Sequence, residues 1–135
     1  MIKLIENKGF FSNEIYNLTP KECFEICQNE GAILDVREEF MSSFKTFDVP
    51  EVIYCPASTL EVSCSDLPQN KLLILADATG LHSKEVYILL NKKGFNNIAN
   101  MAGGLVEWER DNLPLKIDKS QRLSGSCVCQ LKPRE

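Results

Sequence analysis

Residues 72–86, LLILADATGLHSKEV, run from an unbroken apolar stretch through a small, Gly-bearing loop into a helical pattern. The apolar run has the length of a strand buried on both faces. The pattern from Ser83 to about Lys93 places Val86, Ile88, Leu89 and Leu90 at helical spacing, with Gly94 as its stop. A strand that turns directly into a helix points the helix's first N–H groups into the loop, a geometry suited to negative charge. This loop nevertheless opens with an acid, Asp77, and its only basic group is His82.

The flanking sequence repeats the alternation. LTPKECFEICQNEG offers Thr19 as an N-cap, Pro20 at the first helical position, apolar Cys23, Phe24, Ile26 and Cys27, and Gly31 as a stop. Ala32 to Val36 reads as a buried strand, and Arg37 to Phe44 as a short helix. Val52 to Cys55, bracketed by prolines, reads as a strand, as do KLLILA and NNIANM, and GGLVEWERDNLP opens with a short helix. Helices alternating with short strands buried on both faces predict an α/β domain with a central, mainly parallel sheet flanked by helices. Ligands in such folds sit at the carboxyl ends of strands, where the loop from Asp77 to His82 lies.

The chain has 135 residues, enough for one core, with 44 % hydrophobic and 25 % charged residues. A net charge of −4 gives none of the basic footprint that a nucleic-acid partner demands. No apolar run approaches the roughly 18 residues of a membrane span. The N-terminus lacks the h-region of a signal peptide and reads as the start of a cytoplasmic protein. Of six cysteines, Cys23, Cys27 and Cys55 read as buried free thiols, and Cys64, in the polar stretch SCSD, as exposed.

Taken together, GAILDVREEF, FDVPEVIYCP and LLILADATGLHSKEVYILLNKKGFNNIANMAGGLVEWERDNLP resemble, in order and spacing, the rhodanese-like domain family. The resemblance implies a three-layer domain over residues 18–115, which leaves an N-terminal extension over 1–17, and the polar composition from about Lys116 onward predicts a mobile tail over 116–135. It also implies sulfur chemistry, in which a loop cysteine takes a sulfane sulfur from a donor such as thiosulfate and the loop amides cradle the persulfide. Aligning Gly80 and Ser83 with the family's Gly and Ser places Asp77 at the cysteine and His82 at the arginine. The six-residue loop of Asp77, Ala78, Thr79, Gly80, Leu81 and His82 matches sulfur-transferring members, whereas the related phosphatases carry one residue more.

Oxygen at Asp77 forms no persulfide. Its carboxylate instead fills the amide nest as a built-in anion, which keeps the loop's shape and repels thiosulfate. The other reading of Asp77, a nucleophile or base in phosphoryl transfer, needs a metal and a second acid, for which Asp35 is the one candidate. Asp35 and Arg37 match the family's DVR and read as an ion pair supporting the loop. Ser83 reads as a helix N-cap, His82 as an exposed or titrating side chain, and Gly103, Gly104 and Trp108 as packing and turn residues.

The tail SGSCVCQLKPRE adds the pair Cys127 and Cys129. It reads as a frayed end with incidental cysteines, as a redox or sulfur-accepting pair, or as half of a metal site shared between two chains. The expected function is a binding or regulatory module without sulfurtransferase activity at its own loop. The alternative is a sulfurtransferase or sulfur relay that uses Cys127 and Cys129 as thiol carriers. Neither calls for a cofactor or a resident metal. The partner is a protein, or a sulfur donor or acceptor, that the sequence does not name.

Overall fold

The computed structural model describes residues 9–12, 14–29, 31–38, 45–60, 65, 67–68 and 70–117. Among the described residues eight strands are formed: β1 (Phe10–Ser12), β2 (Ile15–Leu18), β3 (Ala32–Asp35), β4 (Lys45–Phe47), β5 (Val52–Tyr54), β6 (Leu73–Ala76), β7 (Ile98–Met101) and β8 (Leu115–Ile117). Three α-helices are described among these residues: α1 (Pro20–Cys27), α2 (His82–Lys92) and α3 (Gly104–Arg110). Six strands make the central sheet in the order β1-β2-β7-β6-β3-β5, parallel except for the β1–β2 hairpin at its edge. This is the α/β architecture with a mainly parallel sheet that the sequence predicts. Every residue of β2, β3, β6 and β7 is buried, so both faces of the sheet are covered.

Local chemistry accounts for the helix ends. Thr19 Oγ1 accepts from Glu22 N at 3.2 Å, and the Glu22 carboxylate accepts from Thr19 N at 3.0 Å, a reciprocal capping box ahead of Pro20. Helix α2 ends at Gly94, whose φ of 98° lets Phe95 N reach back to Leu90 O at 3.0 Å. Helices α1 and α3 are joined by an edge-on contact of Phe24 with Trp108, and Phe47 of β4 meets the same indole edge-on at 5.1 Å between centroids. The indole N–H donates to Pro114 O at 2.9 Å, so Trp108 is satisfied as well as buried.

The structure departs from the sequence reading in several places. Residues before Leu18, read as an extension, supply β1 and β2 of the main sheet, while residues 1–8 lie outside the described residues. Lys116 and Ile117, read as the start of a mobile tail, belong to β8, which pairs antiparallel with β4. Arg37 and Glu38 are not helical, and the rest of the helix expected there falls on 39–44, outside the described residues. On α2, Val86 and Leu90 are buried as expected, whereas Ile88 is 47 % exposed and Tyr87 is buried in its place. Cys64 lies outside the described residues, as does the stretch with Cys127 and Cys129.

Candidate functional site

β3 and β6 end in register, with Asp35 opposite Ala76, so Asp35 stands beside the residue that precedes Asp77. Asp77 is 5 % exposed, and its carboxylate turns back into the loop it opens. Oδ1 accepts from Gly80 N and Oδ2 accepts from His82 N at 2.9 Å. Two of the loop's amides therefore end on the side chain, and the acid caps the first N–H of α2 from outside the helix. Ser83 Oγ lies 3.3 Å from Asp77 Oδ1 and closer to Asn100 Oδ1. Asn100 Nδ2 donates to Asn17 Oδ1 at 2.8 Å, and Asn17 Nδ2 donates to Ile15 O at 2.9 Å. A buried line of polar groups thus runs from the loop across β7 and β2.

The far wall of the loop is α3. Leu105 N donates to Asp77 O at 2.8 Å and Val106 N to Ala78 O at 3.0 Å, so the first turn of α3 ties down the loop backbone. That approach needs glycine. A Cβ on Gly104 would stand 2.5 Å from Asp77 O and 2.7 Å from Ala78 C. Gly80, at φ +91°, lies against Gly103 N in the same way. The pair Gly103–Gly104 is therefore a packing feature.

Asp35 and Arg37 form a bidentate pair, Nε to Oδ1 at 3.0 Å and Nη2 to Oδ2 at 2.8 Å, with both side chains buried. Arg37 Nη2 also donates to Lys45 O at 2.8 Å, and the guanidinium stands over the Phe47 ring. The pair formed as expected, and these contacts fasten the end of β3 to β4 and to the aromatic cluster.

Ser83 does not cap α2. It lies inside the helix, fully buried, and Leu81 holds the N-cap position without a side-chain cap. A cap points its oxygen along the axis at free N–H groups, whereas Ser83 faces sideways into the sheet. His82 and Thr79 are exposed, and Leu81 is 64 % exposed on the rim. Asn17 and Asn100 escaped the sequence reading. The available signal was a polar residue in each of two strands buried throughout, IYNL and IANM.

The thiols of α1 sit away from this loop. Burial pushes Cys23 well above its ordinary value, reinforced by Cys27 and Glu22, and burial with the nearby Glu51 carboxylate pushes Cys27 up to about 12. Cys27 lines a cavity of about 300 Å³ with Glu51 and Lys71, beside the amino ends of the strands. Among the described residues no three metal-ligating side chains gather.

Residues 19–111 match the family model described as Rhodanese-like domain. A sulfurtransferase of Allochromatium vinosum is 22 % identical over 67 residues, 50 % of this chain and 63 % of that protein. A probable adenylyltransferase/sulfurtransferase of Mycobacterium tuberculosis, MoeZ, is 25 % identical over 99 residues, 72 % of this chain and 25 % of that protein. The chain thus spans less than two thirds of these curated relatives. Among solved structures, a rhodanese-related protein from Thermoplasma volcanium superposes with a TM-score of 0.69 at 24 % identity, covering 76 % of this chain and 98 % of the other. That likeness establishes the shared fold.

Proposed function

This chain belongs to the rhodanese-like domain family, and we propose that it is a binding or regulatory module that carries no sulfur on its own loop. The observation that supports the reading is the Asp77 carboxylate, buried and bonded to the amides of Gly80 and His82. In our alignment this is the position from which a family cysteine attacks the sulfur donor. A persulfide forms when a thiolate takes the outer sulfur of thiosulfate and releases sulfite. The carboxylate offers no sulfur for that bond and meets the dianion with like charge. The loop is then a preshaped surface, with exposed Thr79, Leu81 and His82, presented to a partner in the cytoplasm.

The second reading, a sulfur relay through Cys127 and Cys129, draws on the relatives that are sulfurtransferases. It also draws on the inertness of the core thiols, since burial leaves Cys23 and Cys27 protonated at neutral pH.

One experiment addresses both. The protein as it stands should show no thiosulfate:cyanide turnover, and Asp77→Cys with His82→Arg should gain it, because loop length and amides are already in place. Mass spectrometry should find the added sulfur on residue 77 of that variant. Turnover by the unaltered protein that survives alkylation of Cys127 and Cys129 would overturn the module reading. Turnover abolished by that alkylation would establish the relay.

A further inference from the structure

We infer that Asn100, oriented by Asn17, withholds the Ser83 proton from the loop and so decides what residue 77 meets there. One group in this line has a fixed polarity. Ile15 O only accepts, so the Asn17 group 2.9 Å from it is the NH2, which turns Asn17 Oδ1 toward Asn100. Asn100 then presents its NH2 to Asn17 at 2.8 Å and its Oδ1 to Ser83. A carbonyl oxygen must receive a proton there, and the only proton on Ser83 Oγ goes to it. Toward Asp77 Oδ1, 3.3 Å away, the hydroxyl therefore turns a lone pair. Ser83, Asn100 and Asn17 are 0–2 % exposed, so no solvent molecule resets the direction.

Asn100 and Asn17 are thus positioning residues. They make the Ser83 hydroxyl an acceptor toward the loop, and an anion at residue 77 is held by backbone amides alone. The inference rests on the same loop as the proposed module, but its test needs no sulfur donor and stands whether or not a persulfide ever forms. The parent is Asp77→Cys, and the readout is the pH midpoint of iodoacetamide labelling at residue 77, located by peptide mass. Its charged and titratable surroundings are His82 and Lys84 of α2, Asp35 at the end of β3, Arg37 just after it, and Glu107 of α3, all unchanged through the series.

Asn17→Leu touches neither Ser83 nor residue 77. It frees Asn100 to flip its NH2 onto Ser83 Oγ, which releases the hydroxyl proton toward the thiolate. The midpoint should fall by about one pH unit, the order of one hydrogen bond to the charged form. Asn100→Leu should lower it equally. Ser83→Ala separates direction from packing: it should not raise the midpoint in the parent, and should raise it in the Asn100→Leu background. An unchanged midpoint in folded Asn17→Leu, or a raised one on Ser83→Ala in the parent, would overturn the inference. If neither leucine variant folds, Ser83→Ala in the parent decides alone.

Discussion

At the carboxyl ends of β3 and β6 the sheet buries two acids, Asp35 and Asp77, at 0 % and 5 % exposure. At its amino ends it buries a thiol, Cys27, and leaves the acid Glu51 with a side chain 43 % exposed, paired with Lys71. The chemistry of the two ends differs accordingly. Asp35 is met by a buried guanidinium and Asp77 by loop amides, so both carboxylates find donors within the protein. Near the amino ends, burial and the Glu51 carboxylate suppress negative charge on Cys27, and Glu51 itself relies on a half-exposed lysine and solvent. The carboxyl ends can hold an anion because the chain there turns into a helix, and free N–H groups face the loop.

The sharpest way to break this comparison is to remove the compensation at Asp35. Arg37→Ala leaves a fully buried carboxylate without its guanidinium, and loses the bond to Lys45 O and the stacking on Phe47. Removing one partner of a buried pair costs about 3–5 kcal/mol. Urea unfolding should show that loss, and a change below 1 kcal/mol would mean that solvent already reaches Asp35.

Asp77 should cost less, because its partners are amides. Asp77→Ala orphans the N–H groups of Gly80 and His82, at about 1–3 kcal/mol in total if the loop stays closed. Amide hydrogen exchange should accelerate at these two positions before the sheet opens. Exchange rates unchanged from the parent would show that the loop holds its shape without the acid.

The effect at the amino ends is silent at neutral pH and shows only in alkali. Burial and the Glu51 carboxylate push the folded Cys27 thiol from its ordinary value of 9.0 up to about 12. A raised folded value means that the unfolded state releases its proton first as pH rises. The stabilisation is complete below pH 9 and is lost between there and about pH 12, at up to roughly 1.4 kcal/mol per pH unit. Cys27→Ala should flatten that part of the stability curve. Equal slopes for both proteins would show that the thiol titrates normally.

Much of this arrangement is legible in the chain. Thr19-Pro20 with Glu22 dictates the start of α1, because capping box and proline both act within one turn. The apolar run before Asp77 dictates β6, and Gly94 the end of α2. The hairpin β1–β2 and the pair β4–β8 were not legible. Phe10–Ser12 and Lys45–Phe47 are too short to carry a period, and β8 finds its partner about 70 residues away, through pairings that no local pattern encodes. Ser83 was misread for a related reason. As a residue type at a helix start it suits a cap, and only the neighbouring strand shows that its hydroxyl is spoken for.

The sequence by itself determined the α/β class, the family, the strand–loop–helix junction and the acid that opens it, because periodicity, capping and motif spacing are properties of neighbours along the chain. The tertiary structure alone decided what that acid touches. It brought Gly104 against the loop carbonyls, directed Arg37 to Lys45 and Phe47, and lined up Ile15, Asn17, Asn100 and Ser83. Hydrogen-bond direction is a property of groups meeting in space, and these four residues come from β2, β7 and α2, which become adjacent only when the sheet is assembled.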